Sequence, residues 1–514
     1  MPGSIGMMSR VGTLLKRILI LVHRWMGVTF CLLFMLWFLS GIVMMYWTYP
    51  EVTTEDRLLR AQVLDASRIR ISPQEAFAML QSREAPSEMR LRMFDGRPAY
   101  GFDFEDEKFI VYADDGRMQT EFPPEMALRI ASAWSGQPSA TAKVEEITEE
   151  DQWTVSGQFR ALMPILKYAW PDGEEVYFST VTGEVVQYTT RASRVAAYFG
   201  AIPHWLYFTP LRKHANQWAR IVIWAAGLGT VGALLGIIIG VWMYSPSKPF
   251  LYNSMPSSIP YVGQKRWHSI LGLVFGWVAC TWVFSGMLSM DPFPQLQSGQ
   301  EEGRAHMTSA LQGGPIQLSD FDARLPREVL AENIPEFQAK ELMFNSFGGE
   351  PVYLAMASPN HTRVIPVHGE PTTEFDESKV IQIMKNAVQP HALVEVRVLT
   401  EYDAYYRDRH NRLPLPVIFA RVNDDENSTY YVDPKTARLM QSYNSHSRWN
   451  RWLYHGLHSL DFPLLYKHRP LWDIVVLILL VGGTSLSVTA LILAFGVLRR
   501  KFIPPTKDRD LMHL

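Results

Sequence analysis

The sequence predicts an α-helical membrane protein with four spans, formed by a parallel internal duplication and carrying two α+β modules outside the bilayer. Three observations lead there: four long apolar stretches, a one-sided distribution of basic residues, and a set of residues that recurs at a nearly fixed offset. The chain has 514 residues, with 49 Lys+Arg against 51 Asp+Glu and a formal net charge of −2. That balance argues against a nucleic-acid binder, which usually carries a basic excess. Two cysteines, Cys31 and Cys280, are too few for a disulfide scaffold, a four-cysteine iron–sulfur cluster or a Cys-rich zinc site. The mean hydropathy of −0.04 hides a segregation of apolar from polar text.

Trp25–Trp47, Ile221–Tyr244, Ile270–Met290 and Ile474–Leu498 each reach the roughly 20 apolar residues a helix needs to cross a bilayer core. Basic Arg10, Lys16 and Arg17 precede the first stretch, as they would a secretory signal. Its apolar core is too long for one, and Tyr46-Trp47-Thr48-Tyr49-Pro50 offers no small-residue cleavage site, so it reads as a retained anchor. Residues 1–50 contain no acid, and neither does the loop 245–267 with Lys248, Lys265 and Arg266. The tail holds Arg499, Arg500, Lys501 and Lys507. By the positive-inside rule these segments face the cytoplasm. The expected order is a cytoplasmic N-terminus (1–21), span one (22–47), outer region one (48–217), span two (218–244) and a cytoplasmic loop (245–266). Span three (267–290), outer region two (291–470), span four (471–498) and a cytoplasmic tail (499–514) follow. Trp47, Tyr49, Trp218, Trp242, Tyr244 and Trp472 fall where aromatic belts are expected.

The duplication is carried by recurrences. His23, Gly27, Phe30, Trp37, Ser40 and Gly41 return 245 residues later as His268, Gly272, Phe275, Trp282, Ser285 and Gly286. Pro98, Tyr100, Gly116, Glu121 and Phe122 return at an offset of 253, from Pro351 to Phe375. Tyr177, Thr182, Gln187, Arg194, His204, Leu206, Phe208, Leu211, Lys213 and His214 return at 254, from Tyr431 to His468. Each half then reads helix, outer region, helix, and two crossings per half give a parallel repeat about an axis along the membrane normal.

In the first outer region, Ser72-Pro73-Gln74-Glu75 opens a helix running to Leu80. Strands are expected at 97–102, 108–112, 152–155 and 175–179, a turn at Asp114-Asp115-Gly116, and a helix over 124–134. The second region repeats the outline less regularly. No glycine-rich phosphate loop follows a strand, which argues against a nucleotide site.

Fourteen histidines occur, and three pairs survive the duplication: His23/His268, His204/His458 and His214/His468. Ligation needs neutral imidazoles held opposite one another, and a two-fold repeat supplies facing pairs. His23 and His268 each stand one turn before a glycine, Gly27 or Gly272, which admits a flat ligand; the ordinary alternative is an interfacial histidine reaching for water. His204 and His458 lie in aromatic, apolar settings on the outer side, where Pro203 and Pro210 break any long helix. There the alternative is a packed turn. His214 and His468 follow lysines and look more like interfacial anchors. His455 corresponds to Ala201 and has no symmetry partner. His306, His361, His368, His391, His410 and His446 are unpaired loop residues, and His513 lies in the tail. Trp37 and Trp282 recur within the helices, where core packing is the usual role. Cys31 maps to Gly276 and reads, like Cys280, as a small apolar residue. No carboxylate sits deep in a span, which disfavours proton-coupled transport.

His23-Arg24-Trp25-Met26-Gly27, His268-Ser269-Ile270-Leu271-Gly272 and Leu457-His458-Ser459-Leu460-Asp461-Phe462-Pro463 resemble the PepSY-associated transmembrane family. So do Tyr405-Tyr406-Arg407-Asp408-Arg409-His410, Leu413-Pro414-Leu415-Pro416 and Tyr431-Val432-Asp433-Pro434-Lys435-Thr436. The resemblance spans nearly the whole chain and implies four helices, PepSY-type periplasmic modules and similarity to di-haem reductases of ferric siderophores. It implies a bacterial inner membrane and two haem b groups with His23, His268, His204 and His458 as axial ligands to iron; His214, His468 and His455 remain lesser candidates from their sequence settings. Ile202-Pro203-His204-Trp205 departs from the family, which more often has leucine before that histidine. Electrons would come from a cytoplasmic or quinol donor and pass to a periplasmic ferric chelate. The alternatives are a membrane-tethered PepSY-type binding or peptidase-regulating module without redox activity, and a permease for an iron chelate, which four helices without intramembrane charge hardly accommodate.

Overall fold

The computed structural model describes residues 3–81, 84–105, 107–247, 250–292, 300–332, 337–408 and 411–502, with side chains from residue 12 onward. Lys248, Arg409, His410, Lys507 and His513, named above, lie outside these residues. The chain divides into two units: 1–49, 193–292 and 450–514 form a helical unit, and 50–192 and 293–449 form a sheet unit.

Among the described residues, four long helices frame the helical unit: α1 (Gly3–Met44), α2 (Ala215–Met243), α3 (Gly263–Leu288) and α4 (Leu471–Phe502). All four are long and apolar enough to cross a membrane. They pack in a closed cycle, α1 on α2, α2 on α3, α3 on α4 and α4 on α1. Glycines allow the close approach: a Cβ on Gly482 of α4 would collide with the Phe275 ring, and one on Gly483 with Phe38. Helix α1 begins far before the expected boundary at residue 22, because Leu14, Leu15, Lys16, Arg17, Ile18 and Leu19-Ile20 favour helix and no breaker follows Gly12. Its 42 residues rise about 60 Å, twice a hydrocarbon core of about 30 Å.

Among the described residues the sheet unit contains fifteen strands, and a short hairpin in the helical unit adds two. In chain order they are β1 (Glu88–Phe94), β2 (Arg97–Asp103), β3 (Lys108–Tyr112), β4 (Met118–Gln119), β5 (Lys143–Ile147), β6 (Ile165–Ala169), β7 (Glu175–Ser179) and β8 (Val185–Thr189). The hairpin is β9 (Phe250–Tyr252) and β10 (Met255–Ser257). The second half supplies β11 (Glu341–Phe347), β12 (Glu350–Ser358), β13 (His361–Pro366), β14 (Leu393–Leu399), β15 (Val417–Val422), β16 (Thr429–Val432) and β17 (Leu439–Tyr443).

Two antiparallel four-stranded sheets, β5-β6-β7-β8 and β14-β15-β16-β17, have the same order. Each is covered by a helix, Pro124–Ser135 on the first and Glu377–Ala387 on the second, through Ala127 and Ala131 or Val380 and Met384. The third sheet joins the halves. Its order is β13-β12-β11-β1-β2-β3-β4, and the central pair β1–β11 aligns Leu91 with Leu342 and Met89 with Phe344. Tyr100, Phe102 and Val111 from one half and Phe344, Tyr353 and Ile365 from the other fill one core beneath it. The outer regions, expected as two modules, therefore share a sheet. The expected strand at 152–155 is instead a turn, because Asp151 Oδ1 accepts the backbone N–H groups of Trp153 and Thr154 at 2.9 Å.

Candidate functional site

His23 on α1 and His268 on α3 face each other with ring centroids 6.3 Å apart and planes inclined by 37°. His204 and His458 form a second pair, with centroids 5.9 Å apart and planes at 67°. Helices α1 and α3 each bear on both pairs. His23 and Ser40, which bonds His204, are seventeen residues apart on α1, about 25 Å of helical rise. His268 and Ser285, which bonds His458, repeat that spacing on α3.

Short turns position the second pair. His204 lies on the helix Ala201–Trp205, which ends at Leu206 in the left-handed region (φ 54). His458 lies on Leu457–Ser459, which ends at Leu460 in the same conformation (φ 49). A branched residue with positive φ is costly, so the surroundings must hold each turn in place. Two indoles do so: Trp218 Nε1 donates to the Trp205 carbonyl at 2.8 Å, and Trp472 Nε1 donates to the Ser459 carbonyl at 2.9 Å. In the second half the preceding turn is a π-helix, Arg451–Gly456, with buried Arg451 donating to the Asp461 carbonyl at 2.9 Å and to its carboxylate at 3.1 Å.

Every imidazole uses the same nitrogen toward the protein. His23 Nδ1 faces the Gly232 carbonyl at 3.0 Å, and His268 Nδ1 faces Thr489 Oγ1 at 3.1 Å. His204 Nδ1 faces Ser40 Oγ at 3.0 Å; His458 Nδ1 faces Ser285 Oγ at 3.1 Å and the Trp282 carbonyl at 3.2 Å. A carbonyl only accepts, so His23 and His458 carry hydrogen on Nδ1. Each Nε2 then holds a lone pair, and among the described residues no protein group hydrogen-bonds any of the four. Metal-ligating histidines commonly show this arrangement, the second nitrogen fixing tautomer and ring direction.

The separation also fits ligation. Two metal–nitrogen bonds of about 2 Å place opposed imidazole centroids about 6.3 Å apart. Among the described residues no group of three or more His, Cys, Asp or Glu is placed to hold a metal ion. Each pair brings together two imidazoles with free Nε2 atoms at a separation that suits a metal whose remaining ligands come from a macrocycle. Space adjoins the first pair: no atom lies within 4 Å of a Cβ built on Gly27, and only Leu486 Cδ1, at 3.9 Å, on Gly272. Gly236 is tighter, since a Cβ there would lie 2.7 Å from His23 Cε1.

The lesser candidates are not assembled in this way. His214 is exposed at the start of α2, and exposed His468 turns Nδ1 to the Leu464 carbonyl of its own turn at 2.8 Å. His455 is exposed and packs on Tyr454 with centroids 4.6 Å apart, with no symmetry partner opposite. Ser40 and Ser285 recur in the sequence but carry no expected role there; a hydroxyl repeated in an apolar helix is the signal. Trp218 and Trp472, expected as belt residues, serve as clamps. Gly232, Gly236 and Thr489 have no counterpart that would reveal them.

The four helices and their apolar surfaces define a multi-pass membrane protein in contact with lipid. Within that class, the chain belongs to the family described as the PepSY-associated TM region, which matches residues 20–317, more than half its length. The match contains His23, His204 and His268, whereas His458 lies beyond it. No curated protein matches the chain.

Proposed function

We propose that this protein carries electrons across a bacterial inner membrane through two haem b groups and reduces a ferric chelate, such as a ferric siderophore, in the periplasm. The observation that carries the reading is the pair of opposed histidine couples, each imidazole tethered through Nδ1 and open at Nε2. His23 and His268 would hold one group and His204 and His458 the other. Bound haem supplies one-electron chemistry. The protein's residues do the rest: Ser40, Ser285, Thr489 and the Gly232 carbonyl orient the ligands, and the apolar helices exclude water. The acid-free segments 1–50 and 245–267 support a cytoplasmic side at the His23/His268 end, where a cytoplasmic or quinol donor would deliver electrons. The matching contacts of Ser40 and Ser285, and of Trp218 and Trp472, support descent of the two halves from one duplicated unit.

The test is the absorption spectrum of the detergent-purified protein, oxidised and dithionite-reduced, with haem quantified. The expected result is sharp α and β bands and about two haems per chain. His23→Ala and His268→Ala are expected to remove the same group, and His204→Ala and His458→Ala the other. A flat spectrum from cells supplied with haem would overturn the proposal.

A further inference from the structure

The four imidazoles are tethered by two different devices. At the His204/His458 pair both tethers are serines. Ser40 Oγ gives its hydrogen to the Trp37 carbonyl at 3.1 Å, and Ser285 Oγ gives its own to the Trp282 carbonyl at 3.0 Å. A hydroxyl that has donated its hydrogen offers only lone pairs, so the facing imidazole nitrogen must be N–H. At the other pair the tethers differ. His23 meets the Gly232 carbonyl directly. His268 meets Thr489 Oγ1, which passes its hydrogen to the Leu486 carbonyl at 2.7 Å. Gly232 and Leu486 correspond at the 254-residue offset, but the residue corresponding to Thr489 is Leu235. At this pair, only the second half inserts a hydroxyl between histidine and carbonyl.

We propose that Ser40, Ser285 and Thr489 are positioning residues that lock their histidines as Nδ1–H tautomers, and that each lowers the reduction potential of the group at its own pair. This rests on the haem reading above. An acceptor on Nδ1–H draws the proton outward and makes Nε2 a more basic ligand, which favours the oxidised metal. Polarisation of each hydroxyl by the carbonyl it donates to strengthens the effect. The bonds join different helices or turns, so the same atoms aim the rings.

The potential is read by redox titration of the purified, haem-loaded full chain. Ser40→Ala and Ser285→Ala are each expected to raise the same one of two waves, and Thr489→Ala only the other. A tenfold loss of preference for the oxidised form corresponds to 59 mV for one electron. Ser40→Thr, Ser285→Thr and Thr489→Ser keep a hydroxyl and are expected to restore the potentials, which a loss of packing alone would not produce. Unchanged potentials, or Ser40→Ala and Ser285→Ala acting on different waves, would overturn the inference. Nitrogen-15 NMR of histidine-labelled, haem-free protein reads the tautomers separately. Nδ1–H at all four rings in the wild type, with His204 released in Ser40→Ala, is the expected result; Nε2–H rings would refute the lock whatever the haem content. A protein that never takes up haem but shows Nδ1–H rings would sink the electron-carrying reading and leave the lock standing.

Discussion

Neutral imidazole is the form that ligates, and the second pair is held in that form. Burial, followed by the neighbouring His458 ring, pushes His204 well below the ordinary value of 6.5. Burial pushes His458 the same way, against the Trp282 carbonyl, which favours its charged form. Both are uncharged at neutral pH, so no proton must be displaced before a metal binds. The closest constraint at the first pair is a missing side chain. Gly236→Ala would drive a methyl into the His23 ring, and the expected outcome is loss of the His23/His268 group alone, read as half the haem per chain and one remaining redox wave. Elsewhere, Glu184 sets an acid limit. Burial alone raises its carboxyl, yet Arg92, Lys108 and Arg90 outweigh that and bring it from 4.5 down to about 2. Its contribution is complete above pH 4.5 and is lost as pH falls toward 2, and is about 1–3 kcal/mol. Glu184→Gln is therefore expected to lower stability at pH 7 and flatten the acid limb of an unfolding titration followed by tryptophan fluorescence. At this scale the sequence made His23, His268, His204 and His458 legible because they recur. It left Thr489 and Gly236 unread, since a hydroxyl or a hydrogen atom beside a ring gains meaning only when another helix delivers the ring.

At the scale of elements, legibility followed periodicity. The capping box at Ser72/Glu75 stands in the structure, with Glu75 N–H donating to Ser72 Oγ at 3.2 Å. The four apolar helices are equally plain because lipid demands about 20 apolar residues in a row. Strand β1 is absent from the expectations for region one, although Met89 and Leu91 are buried in the core beneath the sheet and Arg90 and Arg92 point to the other face. Its register against β11 was beyond sequence reading, because an antiparallel partner some 250 residues away leaves no local trace. One ion pair secures that junction. Glu341 on β11 is 1 % exposed and accepts both guanidinium nitrogens of Arg57, from the helix Thr54–Arg60. Removing one partner strands a buried charge, so Arg57→Ala or Glu341→Ala is expected to cost about 3–5 kcal/mol. Replacing both with leucine is expected to cost much less. A double-mutant cycle by chemical denaturation checks this; near-additive losses would show that the pair is not coupled.

For the whole molecule, each histidine pair takes one residue from each half, and the central strand pair takes one strand from each half. Neither half holds a complete site. Residues 1–250 produced alone are expected to bind no haem, and co-production with 251–514 is expected to restore both groups, read as haem per chain in the purified complex. Haem retained by residues 1–250 alone would show that the pairing drawn here is wrong. The alternation of the chain between its two units was legible as alternating apolar and polar text, but the returns to the helical unit come near residues 192 and 449, before the expected 217 and 470, because the short turns that carry His204 and His458 belong to the helical unit. The joining of both outer regions in one sheet was not legible, because each half looks self-sufficient when read by itself.

The β1–β11 pairing also sets a timetable for biosynthesis. Strand β1 is complete once residue 94 has emerged, but its partner ends at residue 347. At 5–20 residues per second, roughly 10–50 seconds of translation separate them. Throughout that interval the nascent protein presents a strand with one open side, the kind of edge that captures other chains. The arginines at 90 and 92 then act as guards as well as partners: their charge makes the waiting edge a poor template for strangers until the second half arrives to close it.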